Sequence, residues 1–421
     1  MHHFNYKKGE LHCEEVQLRK IANEIGTPFY CYSQATITRH AREFIEPFVG
    51  TNSLICYAVK ANSNLSVLKL LFSLGCGADI VSIGELRMAL RAGADPQKIV
   101  FSGVGKKREE IAAALKANIL LFNVESAQEL QLIGQVAKEL KITAPVSLRV
   151  NPDIDAKTHP YITTGLHENK FGIPMEEAID LFHRAHEDKN LRVVGIDCHI
   201  GSQLTELSPF IQALKSLKEK IKQLRDDGIE IEFLDLGGGL GITYQNEEPP
   251  HPREYAKAII EEIRDLNITL IMEPGRTIVG NAGILVTEVL FTKTTPSKEF
   301  VIVDAAMNDL IRPGLYDAYQ EILPVKEKPH AKKRVVDVVG PVCETGDFLA
   351  RNRQLQETTS GELLAVMSAG AYGFSMSSNY NARGRVAEIL VSGNQFAVIR
   401  ARETVEDLVK NEIPPQWSLS P

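Results

Sequence analysis

The chain has 421 residues, 44% of them hydrophobic, with a formal net charge of −7 and an isoelectric point near 5.9, so it is long enough for two domains and a large core. The acidic balance speaks against a general nucleic-acid surface, and no apolar run is long enough to cross a membrane. Six scattered cysteines (Cys13, Cys31, Cys56, Cys76, Cys198, Cys343), with no CxxC pair or metal-ligand spacing, read as reduced thiols in a cytoplasmic protein.

Met1–Glu10 lacks the apolar centre of a signal peptide. Pro28-Phe-Tyr-Cys-Tyr32 is strand-like, and the amphipathic Thr36–Phe48 follows it. Eight apolar runs then recur: Leu54–Lys60, Ala78–Ser82, Ile99–Ser102, Leu120–Val124, Val146–Asn151, Val193–His199, Phe233–Gly237 and Leu270–Glu273. A helical pattern follows each of the first seven. Leu65, Leu68, Leu71 and Phe72 repeat at helical spacing, as do Leu207, Phe210, Leu214 and Leu217. Thr36–Phe48 can serve as the eighth helix. Such alternation signals a parallel sheet. An open doubly wound sheet is the rival, but eight units over about 240 residues fit a (β/α)8 TIM-like barrel, whose chemistry gathers where the strands end.

After Gly280 the texture changes. Ile284–Thr292, Glu299–Asp304, Arg334–Val339, Glu362–Val366 and Gln395–Arg400 are short β-rich runs between Gly, Pro and charged turns. They read as an antiparallel second domain, which the strand near residue 30 can join. The expected boundaries are 36–281 for the barrel, and 1–35 with 282–421 for the β-rich domain. Residues 151–174 form a long mixed-charge loop, a candidate lid.

The strand ends carry the polar residues that ask for a chemical account. Lys60 closes the first run between apolar Val59 and Ala61. Desolvation there favours the neutral amine, a nucleophile for a carbonyl, while the plain alternative is a rim salt bridge. In a closed barrel the first and last strands are neighbours, so Lys60 and Glu273 should face one site. Asp235-Leu-Gly237-Gly238-Gly239-Leu-Gly241 ends the seventh run. Glycines there suit either a tight turn or a phosphate, and the loops after strands seven and eight are a usual barrel phosphate site. His199-Ile-Gly201-Ser202-Gln203 ends the sixth run. His199 is either a satisfied core histidine or a ring that stacks on a flat cofactor. Ser202 can bond a phosphate oxygen. Arg149 can pair with an acid or hold a phenolate or carboxylate. An amine, a phosphate cradle, a ring-sized pocket and a carboxylate fit pyridoxal phosphate, with Glu273 keeping its pyridine nitrogen protonated. Glu273 can equally pair with Arg276. In the second domain, Cys343 sits in Gly340-Pro-Val-Cys343-Glu344-Thr-Gly-Asp347, and a lone cysteine is commonly a small buried hydrophobe. Tyr372 lies in a glycine-rich loop, and Arg312 and Tyr316 are four residues apart.

Taken in order, Tyr57-Ala-Val-Lys60-Ala-Asn62, Asp79-Ile-Val-Ser-Ile-Gly-Glu85-Leu, His199-Ile-Gly-Ser-Gln, Gly237-Gly-Gly-Leu-Gly, Glu273-Pro-Gly-Arg276, Cys343-Glu-Thr-Gly-Asp and Ala369-Gly-Ala-Tyr372 resemble the diaminopimelate decarboxylase family, within the fold-type III pyridoxal-phosphate decarboxylases. The resemblance covers nearly the whole chain. It implies that Lys60 holds pyridoxal 5'-phosphate as a Schiff base and that His199 stacks on the ring. It implies a phosphate site from Ser202, Gly238, Gly239 and the backbone from Glu273 through Gly275 to Arg276, with Glu273 on the ring nitrogen. Arg149 is counted with the cofactor site. Arg276, Arg312, Tyr316 and Glu344 would hold the substrate's non-reacting end, and Tyr372 would touch substrate and cofactor. The family works as a homodimer with shared active sites, Cys343 and Glu344 coming from the partner chain. Its β-rich domain is a β-barrel or sandwich joined by the N-terminal strand. The implied reaction converts meso-2,6-diaminopimelate to L-lysine and CO2, the last step of lysine biosynthesis by that route. Cys343 would return a proton to the α-carbon, a task suited to a thiol.

Sister decarboxylases of ornithine, arginine or carboxynorspermidine share the barrel motifs. A second substrate carboxylate needs a cation at the far end of the pocket, for which Arg276 and Arg312 are candidates. A racemase on this fold would want a tyrosine base opposite the lysine, and Cys343 stands instead. A non-catalytic relative would be expected to lose Lys60 or Cys343, and both are present.

Overall fold

In the computed structural model, which describes residues 2–152, 154, 170–415 and 417, the eight apolar runs form eight strands. They are β1 (Ser53–Ala58), β2 (Gly77–Ile80), β3 (Ile99–Phe101), β4 (Leu121–Val124), β5 (Ala144–Asn151), β6 (Leu191–Asp197), β7 (Phe233–Asp235) and β8 (Thr269–Met272). Neighbours pair in parallel around the whole ring. β8 closes on β1, with Leu270 opposite Ser53 and Met272 opposite Ile55. That closure excludes the open doubly wound sheet and makes residues 37–280 a (β/α)8 barrel unit. Cys56, Val100, Leu121, Val194 and Ile271 meet in one fully buried cluster, because consecutive barrel strands turn alternate side chains inward.

Several strands stop before the apolar pattern does. β1 ends at Ala58, and Lys60 lies in a 3-10 turn, Val59–Ala61. Val59 and Ala61 stay buried, so hydrophobicity continues where ladder pairing has ended. Ala58 N–H instead donates to Pro274 O at 3.1 Å. Glu273, His199 and Gly237 likewise lie one or two residues beyond their strands. The rim groups are therefore carried by turns anchored on the barrel.

Helices follow the strands, and side-chain oxygens cap several of them. Asn64 Oδ1 accepts from Ser66 N–H, Ser82 Oγ from Glu85 N–H and Ser126 Oγ from Glu129 N–H, satisfying donors that a helix start leaves open. In Ser208–Asp226, Phe210, Leu214, Leu217, Ile221 and Leu224 bury one face, each contributing about 1.5–3 kcal/mol. The segment before β1 is the helix Gln34–Ile45 followed by a 3-10 turn, Glu46–Phe48. Its Phe44 ring lies 6.2 Å from that of Tyr255, on the helix after β7, which completes the outer layer. Residues Ile173–Pro174 add a short parallel strand against Val150 and Asn151. Most of the candidate lid, residues 153 and 155–169, lies outside the described residues.

Residues 1–36 and 281–421 form a second unit. Gly283–Thr294 is its central strand, antiparallel to Phe29–Ser33, Leu363–Val366 and Glu299–Val303. The N-terminal strand thus belongs to this sheet. The pairing is not wholly antiparallel as expected. Phe300–Ile302 runs parallel to Asp337–Val339, and Phe29–Ser33 runs parallel to Ala387–Val391. Both pairs join segments far apart in the chain, where no hairpin imposes an antiparallel turn. Phe4–Lys7, Glu10–Cys13 and Val16–Gln17 add a small meander. Phe4, Leu11, Ile21, Phe29, Ile284 and Ile389 share the core of this unit.

Candidate active site

Lys60 is the natural starting point. Its Nζ donates to Asp79 Oδ2 at 2.7 Å, with the lysine side chain 37% exposed and the aspartate fully buried. Ala58 faces Asp79 across the β1–β2 ladder, so strand register sets the ion pair. Tyr57 Oη donates to Asn62 O at 3.1 Å and Asn62 Oδ1 accepts from Asn64 N–H, which clamps the lysine turn from both sides. On the β8 side Gly275 packs so closely that a Cβ there would lie 3.0 Å from the Cβ atoms of Ala58 and Ala61.

Glu273 is buried. Ser102 Oγ donates to its Oε1 at 3.5 Å. Burial pushes its carboxyl well above the ordinary range, Asp235 and Asp79 push it further, and Lys60 opposes them. Burial also pushes Asp235 up to about 6, against donors from Asn123 and the Gly237 backbone. Those donors are Asn123 Nδ2, 3.0 Å from Oδ2, and Gly237 N–H, 2.9 Å from Oδ1. Two donors hold Asp235 as an acceptor, so a proton shared by the two acids resides on Glu273. A cation brought to Glu273 would release it.

The glycine turn after β7 is built against His199. Gly238 N–H donates to His199 Nδ1 at 3.2 Å, which leaves the ring proton on Nε2. Burial draws the imidazole well below its usual value, and Arg149 and Lys60 repel a proton further, so His199 is neutral and suited to stacking. A Cβ at Gly238 would lie 2.4 Å from Glu273 O, and one at Gly239 2.7 Å from Gly201 O. Both glycines are needed for this close backbone approach. Arg276 is buried. It donates from Nη1 to Tyr244 Oη at 2.6 Å and from Nη2 to Ser202 Oγ at 3.1 Å, joining the turns after β6, β7 and β8. Arg149 donates to Glu125 Oε1 at 3.0 Å, and its Nη2 is buried without a hydrogen-bond partner among the described residues.

The other expected site residues belong to the β-rich unit. Arg312 is buried and opens the short helix Arg312–Tyr316, its guanidinium 5.8 Å from the Tyr316 ring centre. Cys343 and Glu344 are exposed. Cys343 N–H donates to Asn381 Oδ1 at 3.0 Å. Asp347 secures this turn by accepting from Met307 N–H and Val342 N–H, each at 2.7 Å. A Cβ on Gly314 would reach within 2.9 Å of Gly346 O, so the Arg312 helix and the Cys343 turn are packed together. Tyr372 is half-buried, with its backbone in the left-handed region at φ 55°.

The barrel residues fit pyridoxal phosphate by their chemistry. There is an amine, a glycine turn too tight for any Cβ, an arginine with a hydroxyl, a carboxyl able to meet a ring nitrogen and a buried guanidinium nitrogen with hydrogen-bonding capacity to spare. A model of the pyridoxal-dependent decarboxylase family, pyridoxal binding domain, matches residues 34–280. The diaminopimelate decarboxylase of Pseudomonas aeruginosa is 54% identical over 97% of this chain and 98% of its own length, and that of Vibrio cholerae 55% identical over 97% and 98%. The chain belongs to the diaminopimelate decarboxylase family. The crystal structure of diaminopimelate decarboxylase from Helicobacter pylori complexed with L-lysine superposes with a TM-score of 0.91 at 47% identity, covering 94% of this chain and 98% of that one. As a member of this decarboxylase family, the chain uses pyridoxal phosphate as its cofactor.

Sequence reasoning missed four polar residues of this diaminopimelate decarboxylase family barrel: Asp79, Glu125, Asp235 as a partner of Glu273, and Tyr244. Asp79 and Asp235 are acids inside apolar strands, and Glu125 directly follows one. A charge in such a place is rarely buried without a partner, which is the signal that could have found them. Nothing local marks Tyr244.

Proposed function

We propose a division of labour among these residues for the decarboxylation of meso-2,6-diaminopimelate to L-lysine and CO2. That reaction, the final step of lysine biosynthesis through diaminopimelate, is this carboxy-lyase's activity. The bound cofactor supplies an electron sink for the pair left when the bond to the carboxylate breaks. Lys60 would hold the cofactor through its amine. Asp79 keeps the lysine on the correct side of the mouth. Glu273 would hold the ring nitrogen, and His199, neutral, would stack on the ring. Ser202, Gly238, Gly239, Gly275 and Arg276 hold the phosphate. Arg149 would offer its remaining nitrogen to the cofactor. Arg276, Arg312, Tyr316 and Glu344 hold the distal amino-acid end of the substrate, with Tyr372 at both substrate and cofactor. Cys343 delivers a proton to the α-carbon.

The domains are 36–281 for cofactor binding, and 1–35 with 282–421 for completing the site. The enzyme works as a homodimer in the cytoplasm, Cys343 and Glu344 serving the partner chain's site. The exposure of both on one chain supports that role. The amine of Lys60, held 2.7 Å from buried Asp79 in a mouth that also presents Glu273 and the glycine turn, carries the assignment of roles. The test is stoichiometric CO2 and lysine from meso-diaminopimelate with pyridoxal phosphate added, and none from Lys60→Ala. Lysine formation by that variant would remove Lys60 from its role. Release from ornithine, arginine or carboxynorspermidine instead would move the substrate assignment. Sedimentation in solution reads the dimer.

A further inference from the structure

We propose that Glu125 is a positioning residue for the cofactor site, fixing the Arg149 guanidinium through a buried ion pair that also ties neighbouring rim segments together. The inference rests on the placing of Arg149 in that site. Glu125 directly follows β4, and its side chain is 1% exposed, against 8% for Arg149. Oε1 accepts from Arg149 Nη1 at 3.0 Å and from Gly103 N–H at 2.9 Å. Oε2 accepts from Gly172 N–H at 3.1 Å. One carboxylate thus joins the turn after β3, the end of β5 and the residue just before the short strand that pairs with β5.

The carboxylate is itself held in place. Glu125 N–H donates to Glu129 Oε2 at 2.8 Å. The other oxygen of Glu129 takes a 2.6 Å bond from Lys106 Nζ, and both of these side chains are almost fully enclosed. Lys106 also donates to Gly103 O and Asn123 O. Two buried ion pairs, Lys106–Glu129 and Arg149–Glu125, are thus joined by the Glu125 N–H bond to Glu129. A buried ion pair is costly to break because the surviving charge is left uncompensated.

The far side of Arg149 gives this arrangement its purpose. With Nη1 on Glu125, Nε 3.9 Å from Asp197 Oδ2 and the guanidinium 5.1 Å from the Phe171 ring centre, rotation about the side-chain axis is blocked. Nη2 is the nitrogen left over, buried with no hydrogen-bond partner among the described residues. Arg149 also repels a proton from His199. Moving the guanidinium would therefore alter both the hydrogen bond offered to the cofactor and the charge state of the ring that stacks on it.

The test is a titration of Glu125→Gln, Arg149→Ala and the double variant with pyridoxal phosphate, reading Kd and the absorption maximum of the bound cofactor. Glu125→Gln keeps the side-chain shape and one acceptor but removes the charge. The expected result is a Kd raised about tenfold or more, a displaced maximum, and a double variant no weaker than Arg149→Ala, since one residue acts through the other. A purely structural Glu125 would add its loss to that of Arg149→Ala and leave the maximum in place, which overturns the proposal. Glu125→Gln with wild-type Kd and maximum overturns it while leaving Arg149 in the site if Arg149→Ala is weakened. Wild-type binding by Arg149→Ala overturns both. If Glu125→Gln does not fold, Glu125→Asp, with the charge kept but the reach shortened, is read by the same measurements and outcomes.

Discussion

Lys60 Nζ donates to Asp79 Oδ2 across 2.7 Å, joining the turn after β1 to a fully buried carboxylate in β2. The bond fixes a long, rotamer-rich side chain in one direction at the mouth of the barrel. Asp79→Asn keeps the shape but removes the charge that makes the bond strong. It is expected to lower kcat/KM for diaminopimelate at least tenfold, corresponding to the loss of about 1.5–3 kcal/mol from a charged hydrogen bond. Wild-type steady-state kinetics in this variant would show that the pair is structural only.

Cys343 presents a thiol on an exposed turn that Asp347 holds by two 2.7 Å bonds. Cys343→Ala leaves those bonds and the barrel residues untouched. Cofactor affinity should therefore remain as in the wild type, while lysine formation slows by about 10²-fold or more, the usual contribution of a positioned acid. CO2 release and lysine formation, followed separately, check the assignment. An unchanged rate of lysine formation removes Cys343 from proton delivery.

Glu85 is a titrating group beside the same mouth. Burial lifts its carboxyl from 4.5 to about 7, and nearby Asp79 adds to the lift while the Val81 N–H and Lys60 oppose it. A carboxyl raised on folding binds more protons in the native state than in the unfolded one. Its contribution to stability is complete below about pH 4.5 and is lost as pH rises through about 7. Glu85→Gln can keep the 2.7 Å bond from Val81 N–H and cannot titrate. Between pH 4.5 and 7 the wild type should lose up to roughly 3 kcal/mol relative to Glu85→Gln. Urea midpoints of both proteins across that range measure it, and a constant difference would refute the shift.

The barrel was legible because each strand is an apolar run and each intervening helix repeats its apolar residues at helical spacing. What the pattern could not report was where pairing stops. Val59 and Ala61 are as apolar as β1 itself, yet they belong to the lysine turn. In the β-rich unit the strand Phe348–Gln356 escaped notice because it lies at the sheet edge, its outer part exposed and written in arginine, asparagine and glutamine. The parallel pairing of Phe29–Ser33 with Ala387–Val391 joins segments more than 350 residues apart, beyond any local signal. Lys60, His199 and Glu273 could be placed at the barrel rim because they end apolar runs. Asp79 and Asp235 were passed over as candidates because an acid inside a strand declares its role only when its partners are known.

Gly238 gives the sharpest test of the turn after β7. Its N–H donates to His199 Nδ1 at 3.2 Å, and a Cβ on it would sit 2.4 Å from the backbone oxygen of Glu273. A main-chain atom cannot rotate aside as a side chain can, so Gly238→Ala must displace either the glycine turn or Glu273, the residue proposed to meet the cofactor's ring nitrogen. Overpacking of this kind costs about 1–3 kcal/mol. The damage falls on two of the proposed site residues at once, because moving the turn also withdraws the donor that fixes His199. The expected outcome is a folded barrel by circular dichroism, a lowered melting temperature and cofactor affinity reduced by about tenfold or more. Cofactor titration and thermal melts of Gly238→Ala check this together. Unchanged cofactor affinity alongside a lowered melting temperature would show that the turn is required for packing alone.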